Sequence, residues 1–179
     1  RSGLPEVIYG QGKSAFQLKE IIQKLKKAKT NILATKISED KYKKIKPFLP
    51  KKAIFNAQSE TLVIKNSRKI MDKGLITIIT AGTSDIPVAE EAAITANLLG
   101  SKVEKIFDVG VAGLHRLLDN LEQIKKARVL IVVAGMEGAL ASVVGGLVSQ
   151  PIIAVPTSVG YGTSFGGVSA LLTMLNSCA

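Results

Sequence analysis

The sequence is short of residues that several common protein classes require. It has no tryptophan, one cysteine and 4% aromatic residues in 179 positions. A single cysteine, Cys178, excludes a disulfide scaffold and fits a reducing compartment, so we expect a cytoplasmic protein. The scarcity of aromatic side chains argues against a stacking platform for single-stranded nucleic acid. The glycine fingerprint of nicotinamide-dependent dehydrogenases and the P-loop are also absent.

Positive charge is unevenly placed along the chain. Residues 1–73 contain 18 Lys and Arg against 6 Asp and Glu, whereas residues 74–179 contain 6 against 8, within a net charge of +10. This shift predicts a basic N-terminal module over residues 1–73 and a second domain over residues 74–179. The lysines form either an ordinary solvated surface or one that attracts nucleic acid or an anionic nucleotide. Lysine without interleaved aromatic residues is a poor nucleic-acid signature, so we expect no nucleic-acid partner.

The pattern of residues 1–73 predicts a small α/β module. Ser14 is a plausible N-cap for a helix that runs to about Ala28, and Ser38 for a lysine-rich helix that Pro47 ends. The predicted strands lie within residues 5–13, 31–35, 53–56 and 61–65.

From Gly74 onward, short apolar strands alternate with helices. The continuous apolar and β-branched run Leu75–Thr80 is typical of a parallel strand that is covered on both faces. Further strands are predicted at 103–109, 129–133 and 151–155, and helices at about 85–99, 113–124, 138–148 and from 168. This alternation predicts a doubly wound α/β domain around a parallel sheet.

The segment Val129–Val148 has 20 residues, which is long enough to span a membrane. It contains four glycines, Ser142 and Glu137, and its first part is β-branched. These features predict a buried strand, a glycine turn and a helix, so we expect no membrane association.

Ligands of such sheets bind where strands end and helices begin. Every such end in this sequence is rich in glycine or hydroxyl groups. Two explanations fit the turn Ala81–Asp85 equally well: a ligand-binding turn and a capped connection from strand to helix. The 12-residue loop 156–167 has more glycine than a connection needs, which favours contact with a ligand. The candidate binding residues at these ends are Gly82, Thr83, Ser84, Asp85, Asp108, Gly110, Gly135, Met136, Gly138, Thr157, Ser158, Tyr161, Gly162, Phe165 and Gly166.

Three side chains are candidates for chemistry, and the residues alone leave two readings of each. Glu137 is either a first-turn acid that the helix dipole favours or a general base in apolar surroundings. Cys178 is either a small buried hydrophobe or a nucleophile. His115, beside Arg116, is either a structural donor or a group that handles protons or phosphate.

A resemblance to the LarB family runs through nearly the whole chain. It is carried by the segments PEVIYGQGK, AGTSDIPVAEEA, DVGVAGLHRL, VVAGMEGALASVVGGLV and VPTSVGYGTSFGG, with MLNSCA at the end. That family is related to the PurE class of aminoimidazole ribonucleotide carboxylases. The resemblance therefore implies a three-layer αβα domain that assembles as octamers.

The resemblance also implies an activity. LarB-type enzymes carboxylate the pyridinium ring of nicotinic acid adenine dinucleotide at C5 and hydrolyse its phosphoanhydride. The products are pyridinium-3,5-biscarboxylic acid mononucleotide, a precursor of the nickel-pincer cofactor of lactate racemase, and AMP. Cys178 matches the family's nucleophile, and Glu137 matches the base that removes the C5 proton. His115 and Arg116 match in place the His-Arg pair of the PurE class.

Further expectations concern the phosphates, the co-substrate and the end of the chain. The resemblance implies that the phosphates lie on Gly82–Asp85 and on the glycine-rich loop, with Mg²⁺ shielding the anhydride and Asp85 a candidate to hold that ion indirectly. The carboxyl group comes from CO₂ or bicarbonate. The family continues past the NSCA motif with a strand and a glycine-rich segment that this sequence lacks, which implies that Cys178 lies near a frayed terminus.

Two other functions fit parts of the sequence. A PurE-like carboxylase or mutase acting on an aminoimidazole ribonucleotide needs no thiol, because its substrate is already an enamine. A non-catalytic nucleotide-binding module whose basic first half docks nucleic acid is the second alternative.

Overall fold

The computed structural model describes residues 6–66 and 74–179. These residues fall into two compact units, one comprising 6–66 and 98–100 and the other comprising 74–97 and 101–179. The predicted domain boundary at Lys73 lies outside the described residues.

The first unit is a four-stranded mixed sheet of order β1-β2-β4-β3, in which β1 and β2 are parallel and the other pairs antiparallel. Ser14 caps α1 through a capping box with Gln17, as the sequence predicts for an N-cap. Leu18 and Ile22 of α1 then pack on Ile32 and other strand residues in one core. Its elements are β1 (Val7–Tyr9), α1 (Ala15–Lys27), β2 (Ile32–Thr35), α2 (Glu39–Ile45), β3 (Ala53–Asn56) and β4 (Thr61–Ile64).

The second unit is built on a fully parallel sheet of order β6-β5-β7-β8. Short 3₁₀ turns precede three of its helices, at Thr83–Asp85, Val111–Gly113 and Gly162–Gly167. Its elements are β5 (Leu75–Thr80), α3 (Ile86–Leu98), β6 (Lys102–Ile106), α4 (Leu114–Asp119), α5 (Leu121–Ile124), β7 (Val129–Ala134), α6 (Ala139–Leu147), β8 (Ile152–Pro156) and α7 (Val168–Leu175).

Helices cover both faces of this sheet. On one face Ile78 and Val133 pack against Ala89 and Ala93 of α3. On the other face Ile79, Leu130 and Val132 form a larger core with α4, α5 and α6. Burial on both faces explains why the strands are continuous apolar runs instead of alternating ones. The predicted α/β fold with three layers is therefore confirmed.

Two predicted elements differ in detail. Strand β6 ends at Ile106 and not at 109, because Asp108 turns the chain with φ 61° and donates its N–H to the Thr80 Oγ1 at 3.0 Å. The helix predicted over 113–124 is interrupted at Asn120, whose backbone leaves the helical region and whose Nδ2 donates to the Arg116 carbonyl at 2.8 Å.

The apolar segment Val129–Val148 divides into β7, a turn and α6, as predicted. No helix in the described part of the chain is long and apolar enough to cross a membrane.

The strand order locates the site. From β5 the chain crosses to β6 on one side, and it later returns to place β7 on the other side of β5. The connections after β5 and β7 therefore diverge, and a crevice opens between the carboxyl ends of these strands. Such a switch point is where open α/β sheets bind ligands.

Candidate active site

A cleft of about 390 Å³ opens at this switch point, beyond the ends of β5, β6 and β7. Apolar side chains, among them Val111, Leu140 and Val159, form part of its wall. The sequence-predicted residues that line it are Gly82, Thr83, Ser84, Asp85, Asp108, Gly110, Gly135, Met136 and Glu137. The fold thus brings together the candidate residues of three separate strand ends.

The turn after β5 offers donors to the cleft. Thr83 and Ser84 are exposed and begin the 3₁₀ turn that leads into α3. Neither hydroxyl has a hydrogen-bond partner within residues 6–66 and 74–179. Hydroxyls and free N–H groups at the start of a helix suit an anionic group, because the helix dipole adds to the hydrogen bonds.

The turn after β6 is fixed by an ion pair. The Arg116 guanidinium pairs with the Asp108 carboxylate, and both side chains are a little over 40% exposed. Gly113 makes room for the guanidinium, since a Cβ there would lie 2.6 Å from the Arg116 Nε. Arg116 therefore contacts the cleft residue Asp108 but does not itself line the cleft. His115 is exposed on α4, does not line the cleft, and has no partner among the described residues.

Glu137 lies on the turn between β7 and α6. Met136 adopts φ 53°, a left-handed conformation that a non-glycine residue rarely takes, and its N–H donates to the Val159 carbonyl at 2.7 Å. Gly138 follows with φ 71° and lies against Ala170 of α7. The Glu137 side chain is exposed, and the described chain offers it no partner. The apolar surroundings expected for this carboxylate are thus not provided by the chain itself.

The glycine-rich loop after β8 contributes less to the cleft than the sequence suggests. Val159 reaches the cleft, but Ser158, Tyr161, Gly162, Phe165 and Gly166 do not line it. Tyr161 is 81% exposed and Phe165 73%. Glycines 160, 162, 166 and 167 all have positive φ, so the backbone path of the loop accounts for much of its glycine content.

Thr157 and Asp85 are buried beneath the cleft and bond to each other at 2.7 Å. Because Asp85 also accepts from Gly82, both of its carboxylate oxygens have protein donors. Asp108 is likewise engaged by Arg116. No group of three or more potential ligands that could hold a metal ion occurs among the described residues. The carboxylates in the described ranges therefore form no preformed Mg²⁺ site.

Cys178 is exposed and lies along the side of α6. Its neighbour Ser177 shares a 2.8 Å hydrogen bond with Ser142, and Ala179 lies against Gly145. Ser142 and Gly145 lie three and six residues after the start of α6 at Ala139, which is roughly 5 to 9 Å along the helix axis. Cys178 is not among the residues that line the cleft. The thiol and the Glu137 turn therefore do not line the same cleft within the described chain.

Sequence reasoning missed two residues that shape the site. Thr80 is fully buried at the end of β5 and accepts the Asp108 N–H. The feature of the sequence that could have identified Thr80 is a hydroxyl side chain at the last position of a largely apolar strand. Val159 supplies the carbonyl that holds Met136, and a backbone carbonyl leaves no signal in the sequence.

The fold and its strand-end cleft place the second unit among α/β domains that bind ligands at a switch point. Residues 75–179 match the family model described as AIR carboxylase, and residues 1–67 match the LarB/PurE-like N-terminal domain. The chain therefore belongs to the LarB family of PurE-related proteins.

Two relatives come from Methanocaldococcus jannaschii. An uncharacterised protein is 43% identical over 189 aligned residues, which cover all of this chain and 72% of that protein. An N5-carboxyaminoimidazole ribonucleotide mutase is 35% identical over 102 residues, which cover 55% of this chain and 60% of the mutase. These matches indicate an enzyme of the carboxylase or mutase kind.

Proposed function

We propose that this protein carboxylates the pyridinium ring of nicotinic acid adenine dinucleotide at C5 and hydrolyses the phosphoanhydride. The products are pyridinium-3,5-biscarboxylic acid mononucleotide and AMP, for nickel-pincer cofactor biosynthesis. One observation carries the proposal: a single cleft combines the carboxylate of Glu137, which has no partner among the described residues, with the hydroxyl-rich helix start at Thr83 and Ser84. A substrate that carries phosphates and must lose a ring proton requires both features.

The chemistry assigns Glu137 the role of base. A thiolate adds to the ring carbon beside C5, and the displaced electron pair makes C5 enamine-like and nucleophilic. C5 then attacks CO₂, derived directly or from bicarbonate, and a carbon–carbon bond forms. Glu137 removes the C5 proton, the electrons of that C–H bond restore the aromatic ring, and the carbon–sulfur bond breaks to release the thiolate. The net change is one CO₂ gained and one proton lost.

Assembly supplies the thiol in this proposal. Because Cys178 lies along α6 away from its own cleft, a second copy of the chain presents its thiol to the Glu137 turn. Exposed apolar side chains on and near α7 support self-association, since a monomer rarely leaves such a patch in water. Leu171 is 44% exposed, Leu172 52%, Leu175 71% and Ile153 of the edge strand β8 54%. We propose a homo-oligomer, an octamer by family resemblance.

The phosphates lie at the turn after β5, where Gly82, Thr83 and Ser84 face the cleft. Arg116 of α4 contributes positive charge beside the turn after β6, where it pairs with Asp108. Since Asp85 and Asp108 are already engaged, a Mg²⁺ ion would bind mainly to phosphate oxygens and water, which is the usual preference of this ion.

Mass spectrometry of the products tests this proposal. The protein is incubated with nicotinic acid adenine dinucleotide, bicarbonate and Mg²⁺, and we expect AMP and a mononucleotide that has gained one carboxylate. Cys178→Ser and Glu137→Gln should each lower the rate by about a thousandfold or more, because both remove a reacting group. Glu122→Gln, an exposed glutamate on α5, is the matched control and should leave the rate unchanged.

The mutase alternative predicts a different result. It is favoured by the 35% identity to the N5-carboxyaminoimidazole ribonucleotide mutase over 102 residues, which are 55% of this chain. If Cys178→Ser keeps full carboxylation, the thiol mechanism is wrong. If the wild type instead interconverts carboxylated aminoimidazole ribonucleotides and leaves the dinucleotide intact, the mutase function replaces our proposal.

A further inference from the structure

Asp85 is a carboxylate buried beneath the cleft, with 2% of its surface exposed. Its Oδ2 accepts the Gly82 N–H at 3.0 Å, and its Oδ1 accepts the Thr157 hydroxyl at 2.7 Å. Thr157 is itself 6% exposed. A buried carboxylate whose two oxygens both have protein donors is satisfied without a ligand.

The bond between Asp85 and Thr157 joins strands that are not neighbours. Asp85 follows β5 and Thr157 follows β8, and β7 lies between these two strands in the sheet. The bond therefore passes the end of β7, where Gly135 lies. A Cβ on Gly135 would come within 2.7 Å of the Thr157 Oγ1 and 2.3 Å of the Val159 carbonyl oxygen. Only glycine leaves room for this connection.

The Glu137 turn rests on the same connection. Thr157 donates its N–H to the Ala134 carbonyl at 3.0 Å, and Val159 accepts the Met136 N–H at 2.7 Å. Met136 keeps its left-handed backbone between these contacts. A strained backbone persists only where its surroundings hold it, and such strain is concentrated at functional sites.

We infer that Asp85 and Thr157 are a positioning pair, in which Thr157, outside the cleft lining, holds the turn that carries Glu137 in place through its bond to Asp85. This inference rests on the proposed role of Glu137 as base. The pair ties the ends of β5 and β8 together across β7. The pair thereby fixes the position and orientation of the Glu137 carboxylate over the cleft, although the Glu137 side chain itself is exposed.

Three threonine variants test the inference. Thr157→Val keeps the shape and removes the hydroxyl, and Thr157→Ser keeps the hydroxyl. Thr61→Val is the matched control, because Thr61 is 1% exposed, bonds to Ser59 at 2.9 Å and lies in the first unit. We expect Thr157→Val to lower kcat by about tenfold to a hundredfold with KM changed less than about threefold. Thr157→Ser should restore most of kcat, and Thr61→Val should leave both constants unchanged.

Amide hydrogen exchange provides a readout that does not depend on the substrate. Thr157→Val should speed exchange in the segment 135–138 while α3 and α1 keep wild-type rates. If that segment exchanges at the wild-type rate, the positioning pair is disproved even where activity falls. If the wild type carboxylates nothing but exchange in this segment responds, the proposed function fails and the pair stands.

Two kinetic outcomes would overturn the inference. A rise in KM at constant kcat would mean that Thr157 contacts the substrate directly. An equal loss of kcat in Thr61→Val would mean that removal of any buried hydroxyl weakens the enzyme through stability alone.

Discussion

The cleft and the thiol segment are the two halves of the proposed site, and the fold supports them very differently. The cleft turns are joined by buried or short hydrogen bonds, such as those of Asp85 with Thr157 and Met136 with Val159. The segment around Cys178 is attached to α6 through Ser177 and Ser142, and the thiol itself is exposed. One chain therefore holds the turn that carries the proposed base in place through its own contacts, whereas the proposed nucleophile is exposed at the surface of the chain.

Topology explains this difference. The carboxyl ends of parallel strands all lie at one edge of the sheet. The turns after β5, β6 and β7 therefore lie close together as a direct result of the fold. The segment after α7 instead passes along α6, with Ser177 and Ala179 beside successive turns of that helix. Its direction takes it away from the Glu137 turn. In the proposed mechanism, completion of the site then depends on a second copy.

The strongest test of this difference is complementation between inactive variants. Cys178→Ser and Glu137→Gln are co-expressed with different tags, and assemblies that contain both are purified. If the thiol and the base of one site come from two copies, random pairing restores about a quarter of the wild-type activity. The measurement is carboxylated product per protomer by mass spectrometry.

A double variant that carries both substitutions on one chain, co-expressed with wild type, controls for the tags and for assembly. Complete inactivity of mixed Cys178→Ser and Glu137→Gln assemblies would mean that each site uses one chain only. The segment around Cys178 would then have to leave α6 to reach its own cleft.

Two glycines of the cleft, Gly82 and Gly110, differ in how much space surrounds them, and they mark an open side and a packed side of the cleft. At Gly82 the backbone is extended and an added Cβ would have its nearest neighbour 3.8 Å away, at the Asp85 carboxylate. Gly82→Ala should therefore fold normally and raise KM by about tenfold or more, because the methyl group occupies the space of a phosphate. At Gly110 an added Cβ would lie 2.7 Å from the Ala81 carbonyl oxygen.

Gly110→Ala is accordingly expected to destabilise the fold by about 2 kcal/mol, since the backbone has to shift. Thermal unfolding and steady-state kinetics of the two variants measure both effects. A Gly82→Ala variant with normal KM would place the phosphates outside this turn. Equal losses of stability in the two variants would contradict the assignment of an open and a packed side.

Much of this architecture was predictable because local patterns determine it. The apolar run Leu75–Thr80 predicts a doubly covered strand, and the residues that follow it predict a strand-end turn. The interruption at Asn120 was not predictable, because a helical pattern of leucines continues through it. The Asp85 to Thr157 bond was also missed, since contacts between strands that are distant in sequence leave no periodic signal.

The two chemical residues illustrate the same limit. Glu137 was predicted in the first turn of a helix, whereas it lies in the turn one residue before the N-cap Gly138 of α6. Its expected apolar surroundings depend on which surfaces cover it. Cys178 was linked to the site by resemblance, whereas its position along α6 follows from small residues at Ser142 and Gly145 that permit close approach. Candidate reacting groups can be named from the sequence more readily than they can be located.

Buried threonines allow a last and smallest comparison between the cleft and the sheet beneath it. Thr80 and Thr157, at strand ends, both use their hydroxyls to fix cleft turns. Thr77 lies three residues before Thr80 on β5 and is fully buried, and its Oγ1 has no partner in the described part of the chain. Thr77→Val should therefore raise the free energy of unfolding by about 1 kcal/mol, because it removes an unsatisfied buried polar group. Thr80→Val should lower it by a similar amount, because the Asp108 N–H loses its acceptor. Urea denaturation of both variants measures the two signs, and a loss of stability in Thr77→Val would mean that its hydroxyl is hydrogen-bonded in solution.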